Sequence, residues 1–348
     1  MHFVLPFRRN KSFVGRESVL EKLISKISPN VKADSCQRAA IVGPGGVGKT
    51  QIALEAAFRV REKHADCSVF WVSAVNVTGL QNAYRNIGRL LGVDGIDEAK
   101  ADVRKLVKAA LSDTKTGSWF LIVDNADDLD IFGNNRNLED YLPFSPKGSI
   151  LFTSRNREAI SRLGISDINV ITVGEMHKDE ALKLLETSLA KSEIRIMDDK
   201  YQLLETLGYL PLAIKQASAY MVKQQISTSE YLELCQTSDK DMVRLLSKDF
   251  EHHHDYRQQS PMAITWLISF RQIANLNPLA ADYLRFMSFL SEEDIFRSIL
   301  PPAAEKSRKD AIKMLKVYAF VAKRKDSKKT YDIHRTVRLA MSNWLEKE

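Results

Sequence analysis

Eight consecutive residues restrict what this chain can fold into more than any others: Gly43-Pro44-Gly45-Gly46-Val47-Gly48-Lys49-Thr50, a complete G-x-x-x-x-G-K-[ST] pattern. The flanks give it force. Ala39 to Val42 reads as a short strand before it, and Gln51 to Arg61 as a helix after it. A strand, a glycine-rich turn and a helix in that order put the turn at the positive end of the helix dipole, with backbone N–H groups pointing inward. Glycine, lacking a Cβ, lets the chain wrap closely around an anion. The chemistry such a loop suits is phosphate binding. Gly43, Gly45, Gly46, Val47 and Gly48 form the main-chain cradle, and Gln51 follows in the first helical turn. Lys49 is placed to reach the β- and γ-phosphates of a purine nucleotide as a point charge, and the Thr50 hydroxyl to complete the coordination of Mg²⁺. A glycine-rich turn with an incidental lysine is the competing interpretation, and it leaves the flanking pattern unexplained.

Two further strand ends supply candidate partners. Trp119-Phe120-Leu121-Ile122-Val123-Asp124 is an apolar strand that delivers a carboxylate at its C-terminal end, where ligands sit in α/β sheets. Asp124 is expected to orient the water shell of the magnesium, although a helix cap at a strand end is the alternative role. The next residue is Asn125, with Asp127 and Asp128 farther on. An amide cannot accept a proton, so Asn125 can position a water but not activate it, which weakens hydrolysis without weakening binding. Asp124 and, less strongly, Asn125 are thus the candidates for catalysis. Ile150-Leu151-Phe152-Thr153-Ser154-Arg155 repeats the design and ends in a permanent cation. Arg155 can touch a γ-phosphate and so distinguish triphosphate from diphosphate; the alternative is a surface salt bridge.

From Arg38 onward, short apolar runs alternate with longer amphipathic ones, the pattern of a parallel sheet wrapped by helices. Candidate strands are Ala39 to Val42, Ser68 to Val72, Trp119 to Val123, Ser149 to Thr153 and Asn169 to Val173. The fold class expected is an α/β P-loop NTPase domain with a five-stranded parallel sheet over residues 1–174. After Gly174 helical periods take over, at Lys178 to Ala190, Lys200 to Leu207, Leu212 to Val222 and Ser229 to Leu234, giving a helical domain over 175–240. The polar stretch 241–260, with Glu251-His252-His253-His254-Asp255, reads as a joint. Beyond it, helices near Pro261 to Ala274, Leu279 to Leu290 and Ala303 to Tyr318 precede an apolar run at Ala319 to Ala322, a charged turn and Thr330 to Ile333. Helices followed by a small hairpin predict a winged-helix domain over 261–348.

With these residues placed, the chain resembles the NB-ARC family, the nucleotide-binding switch module of STAND-class, NLR-like signalling NTPases. Phe13-Val14-Gly15-Arg16-Glu17 is similar to the family's opening motif, so the resemblance implies that Val14 and Arg16 contact the adenine and ribose side. It places Arg155 at the first sensor arginine. Leu210-Pro211-Leu212-Ala213 resembles the GLPL element, implying that Pro211 packs on the base, although Tyr209 replaces the usual glycine and Gly208 lies one residue earlier. Tyr331-Asp332-Ile333-His334-Arg335 is similar to the MHD motif, which implies that His334 hydrogen-bonds the β-phosphate of ADP; Arg335 replaces the family's aspartate. The block Leu207 to Ile214 with Gln216-Ala217, and the Asp124-Asn125-Ala126-Asp127 variant, look most like the fungal branch. The resemblance implies a switch in signal transduction or an innate-immune response. On that resemblance, ADP would bridge the three domains in a closed state, and ATP would release an open, assembly-competent one.

Composition narrows the rest. Of 348 residues, 44% are hydrophobic and 27% charged, which fits globular domains rather than wholesale disorder. No apolar run approaches the roughly 18 residues needed to span a bilayer, and three scattered cysteines suggest neither a disulfide framework nor a zinc site, so the expected setting is cytoplasmic. Three adjacent histidines cannot all face one ion from a regular element, which favours a solvated joint over a metal site. The net charge of +7 includes a basic run at Lys306, Arg308, Lys309, Lys313, Lys316, Lys323, Arg324, Lys325, Lys328 and Lys329. Few aromatics interleave it, which favours a solvated or protein-contact face over nucleic acid. The partners expected are therefore a nucleotide and other protein chains through nucleotide-dependent self-association. The competing functions are a remodelling ATPase and a nucleotide-responsive DNA-binding regulator.

Overall fold

A computed structural model describes residues 1–27, 36–127, 141–189, 198–237, 261–324 and 329–345. The joint expected at 241–260, with its three histidines, lies outside the described residues, as do Asp128, Lys325 and Lys328. The chain divides into two compact units, Met1–Gly43 with Gly48–Gly174, and Pro44–Val47 with Glu175–Glu348.

The first unit is a parallel five-stranded sheet of β1 (Gln37–Val42), β2 (Ser68–Ser73), β3 (Trp119–Asp124), β4 (Gly148–Ser154) and β5 (Val170–Thr172), in the order β2-β3-β4-β1-β5. All five expected strands are present. Every residue of β3 and β4 is buried, as a parallel sheet covered on both faces demands. On one face, Phe70, Val72, Leu121, Val123, Ile150 and Phe152 pack with Leu80, Tyr84 and Ile87 of α3 (Val77–Leu90) and Val103, Val107 and Leu111 of α4 (Val103–Ser112). Helices α1 (Glu17–Ile27) and α2 (Lys49–Lys63) also pack on the sheet, and a short α5 (Arg157–Arg162) follows β4.

Register fixes the business end. Val42 lies opposite Ser154, and Val123 opposite Phe152, so the carboxyl ends of β1, β3 and β4 finish close together in the middle of the sheet. Trp119 anchors the other end: its indole N–H donates to the Leu111 carbonyl at 2.8 Å, and a Cβ on Gly148 would stand 2.1 Å from its ring. Only glycine fits there.

One strand-like segment has no counterpart in the sequence reading. Residues 2–4 run parallel to the β2 edge, with Val69 N–H donating to the His2 carbonyl at 2.8 Å and Val4 N–H to the Val69 carbonyl at 2.9 Å. Phe3 meets Phe58 of α2 edge to face at 5.3 Å. The segment covers backbone groups that an edge strand would otherwise leave open.

The second unit is mainly helical: α6 (Lys178–Leu189), α7 (Asp198–Thr206), α8 (Pro211–Gln224), α9 (Thr228–Gln236), α10 (Pro261–Leu276), α11 (Pro278–Ser288), α12 (Glu305–Val317) and α13 (Arg335–Leu345). Pro211 starts α8 at its first turn, where a missing N–H costs nothing. Ser227 and Glu230 close a reciprocal capping box on α9. A small antiparallel sheet, ordered β6-β8-β7, joins β6 (Ile295–Phe296), β7 (Val321–Lys323) and β8 (Thr330–Ile333). The expected hairpin is thus present with a third strand added. Strand β7 begins later than the apolar run because Ala319, at φ 59°, ends α12: Phe320 N–H donates back to the Leu315 carbonyl at 3.0 Å.

Candidate functional site

The turn from β1 into α2 has the geometry that its composition demands. Gly46 and Gly48 take φ values of 82° and 93°, and no side chain caps α2 at Gly48. A Cβ on Gly46 would press on Met262 at 3.1 Å, so the position is closed to side chains on conformation and on space. Lys49 is buried and folds back to donate from Nζ to the Gly43 carbonyl at 2.7 Å, closing the ring of the loop. Gly43 N–H in turn donates to the Ser154 carbonyl at 3.2 Å, tying the loop to the end of β4. The loop tip Pro44–Val47 groups with the second unit, in which Leu212 N–H donates to the Gly46 carbonyl at 3.2 Å.

Asp124 sits beside this loop. Its carboxylate accepts from the Thr50 hydroxyl at 3.1 Å and from the Thr153 hydroxyl. Burial pushes its carboxyl up to about 6, against the opposing pull of the two hydroxyls and of the Lys49 charge. A carboxylate and a hydroxyl facing one another are hard oxygen donors, and a carboxylate this deprived of solvent gains from a nearby cation; the pair fits magnesium chemistry. Asn125 adopts φ 60°, its N–H donates to Thr153 Oγ1 at 3.0 Å, and its amide nitrogen lies 3.5 Å from Asp124. Thr153 therefore braces both Asp124 and Asn125. Sequence reasoning passed over it, although its place one register step before the end of the neighbouring strand was the available signal.

Arg155 is half-buried and donates from Nε to Asp127 at 2.9 Å. Arg16 is buried at φ 63°, following Gly15 at φ 70°, and its guanidinium donates to the Gly174 carbonyl at 2.6 Å. Val14 is half-buried just before it. Gln51 accepts from Asn10 at 3.1 Å, and next to that contact Arg9 holds Glu55 at 2.8 Å. The first unit thus contains Val14, Arg16, Gly43, Gly48, Lys49, Thr50, Gln51, Asp124, Asn125 and Arg155, with Lys49, Thr50 and Asp124 in one corner.

The remaining candidates lie in the second unit. Tyr209 takes φ 49°, immediately after Gly208 at φ 57°, and its carbonyl accepts from Met176 N–H at 3.0 Å; the left-handed turn that favours glycine is made here by a tyrosine just before Pro211. His334 is exposed and stands just before α13, its carbonyl accepting from Arg338 N–H at 3.0 Å. Beside it, Arg324 binds Asp332 and Asp294 at 2.9 and 3.0 Å and reaches Glu293 at 2.6 Å. One member of the basic run is therefore consumed by an acidic cluster rather than solvated.

A parallel sheet with a glycine-rich turn leading from β1 into α2 defines a P-loop NTPase fold. The NB-ARC domain profile matches residues 16–194, just over half of the chain, and the chain belongs to the NB-ARC family. It is 48% identical over 361 residues to a nucleotide-binding leucine-rich repeat (NLR)-like protein of Hyaloscypha variabilis, covering 99% of this chain and 36% of that protein. It is also 25% identical to the probable disease resistance protein RF45 of Arabidopsis thaliana, over 63% of this chain and 22% of that one. This chain spans about a third of the fungal relative's length and less of the plant one's. A solved STAND protein with a tetratricopeptide repeat sensor from Pyrococcus horikoshii shares the fold, with a TM-score of 0.56 and 16% identity, over 98% of this chain and 46% of that one. The fungal leaning of the sequence motifs and the STAND-class reading both agree with these relatives. Among the described residues, no helix is long and apolar enough to cross a membrane.

Proposed function

We propose that this NLR-like signalling module is an ADP/ATP switch, with Gly43 to Thr50 as its phosphate cradle. The observation that supports this best is the closed loop itself: two left-handed glycines, a buried lysine returned to the Gly43 carbonyl, and Thr50 against Asp124. Incoming phosphate oxygens would replace the Gly43 carbonyl as partners of Lys49 and meet main-chain N–H groups at the start of α2. Thr50 and Asp124 would hold Mg²⁺ through its water shell, and the ion would neutralise phosphate charge. Arg155 would contact the γ-phosphate, while Pro211 and His334 would favour the diphosphate form, the histidine as a donor to the β-phosphate. Val14 and Arg16 would lie on the adenine and ribose side. The state of the nucleotide would then set the conformation through differential contacts, since a ligand shifts an equilibrium only by its differential affinity.

The three-stranded sheet with α11 to α13 supports a winged-helix reading of the last region, and the relatives support a role in signalling of the innate-immune or incompatibility type, in a cytoplasmic setting, through nucleotide-dependent self-association. Asn125 beside Asp124 supports slow hydrolysis that resets the switch, because an amide cannot take the proton of an attacking water. The test is to denature the purified protein and identify the released nucleotide by chromatography. Stoichiometric ADP, absent from Lys49→Ala, supports the switch. An empty site with rapid turnover of added ATP sinks it in favour of a remodelling ATPase.

A further inference from the structure

Asp127 has no part in the scheme above, yet it is among the most constrained side chains of the first unit. Its two carboxylate oxygens divide their partners. Oδ1 accepts from the Arg155 backbone N–H at 2.6 Å and from the Ser154 hydroxyl at 2.9 Å, while Oδ2 accepts from Arg155 Nε at 2.9 Å. Its own backbone is also pinned. Asp127 N–H donates to the Asn125 carbonyl at 2.9 Å, Ala126 N–H to the Thr153 carbonyl at 2.8 Å, and the Asn156 amide to the Asp127 carbonyl at 3.4 Å. The Asp127 side chain is 9% exposed and that of Arg155 25%.

The guanidinium is gripped by one edge only. Among the described residues, Nη1 and Nη2 of Arg155 make no hydrogen bond. An arginine held through Nε, with both terminal nitrogens open, presents a planar fork suited to two oxygens of one phosphate. With Nε already bonded to Asp127, less side-chain freedom is left to lose on binding.

We propose that Asp127 is a positioning residue for nucleotide discrimination: it presents Arg155 so that the terminal nitrogens meet the phosphate that a triphosphate has and a diphosphate lacks. This rests on the reading of Arg155 as the γ-phosphate contact. Asp127 already compensates the arginine's charge, so its contribution falls on geometry, and hence on the triphosphate-to-diphosphate ratio rather than on overall affinity. Asp127→Asn turns an amide N–H or a weaker acceptor toward Nε and loosens the grip.

The experiment is calorimetric titration of the full chain with ADP and, in Mg²⁺, with a non-hydrolysable triphosphate analogue. Wild type, Arg155→Ala, Asp127→Asn, Asp127→Glu and the Asp127→Asn/Arg155→Ala double variant are compared. Arg155→Ala lowers the ratio of triphosphate to diphosphate affinity. Asp127→Asn lowers the same ratio by about tenfold, the scale of one charge-assisted bond, and keeps ADP affinity within about twofold. Asp127→Glu recovers part of the ratio, and the double variant falls no lower than Arg155→Ala. A ratio that is unchanged or raised in Asp127→Asn, or equal losses for both ligands, overturns the inference. An unchanged ratio in Arg155→Ala removes the γ-phosphate assignment and this inference with it; a loss there with none in Asp127→Asn removes this inference alone. If Asp127→Asn does not fold, Arg155→Lys decides. Lysine keeps the charge but lacks the fork, so its ratio must fall as far as that of Arg155→Ala, and a retained ratio counts against the positioning role.

Discussion

The phosphate corner of the first unit and the β8–α13 region of the second are both built around buried charge, but they are built differently. In the corner, Lys49, Thr50, Asp124 and Thr153 bond to one another or to the loop backbone. Around β8, the buried charge is structural: Arg324 gathers Glu293, Asp294 and Asp332, while His334 stands exposed beside them. One region is organised to receive phosphate. The other ties the ends of β7 and β8 to the turn before β6. On the proposed switch, nucleotide affinity would reside mainly in the corner, and the second region would bias which nucleotide is kept.

Lys49→Ala breaks the corner without disturbing the second unit. Loss of charge-assisted bonds to two phosphates lowers nucleotide affinity by roughly a thousandfold, about 4 kcal/mol, with little change in melting temperature of the ligand-free protein, checked by calorimetry and thermal denaturation. Asp332→Ala does the reverse. It takes from Arg324 the most buried of its three carboxylates and from the Asp294 N–H its acceptor, and costs about 1–2 kcal/mol of stability, read by chemical denaturation, while leaving the phosphate corner intact.

Acid sharpens the comparison within the first unit. Burial raises the Glu55 carboxyl, but hydrogen bonds from Arg9 and Arg59 outweigh it and hold the group below its usual 4.5. A depressed carboxyl stabilises the fold above the unfolded value, and that contribution is lost as pH falls through the depressed one. Melting temperature should therefore drop below pH 4.5, and Arg59→Gln should flatten the drop by about 1 kcal/mol at most, since Arg9 is partly screened by solvent. The smallest effect expected is a gain. Tyr209→Gly relieves a left-handed tyrosine and raises stability by about 0.5–1 kcal/mol, less the added freedom of the unfolded chain.

The legible parts were those with periodicity or dense motifs. Buried strands of a parallel sheet are short apolar runs, so β1 to β5 could be read directly, and Asp124 and Arg155 declared themselves by ending such runs. What escaped depends on pairing between distant segments. Two residues, Ile295 and Phe296, carry no alternation, and residues 2–4 look like any terminus until they lie along Val69. Thr153 and Asp127 acquire their roles from register and a turn at Asn125, neither of which is encoded in spacing. Alanine at 319 gives no sign of a left-handed cap, since glycine is the residue that advertises one.

The most direct test of the switch is amide hydrogen exchange on the full chain loaded with ADP or with a non-hydrolysable triphosphate analogue and Mg²⁺. The account predicts protection of residues 43–51 with either nucleotide, and protection of 330–338 with ADP only. Equal protection of 330–338 in both states would show that the nucleotide is held but not read, and the chain would be a binding scaffold rather than a switch.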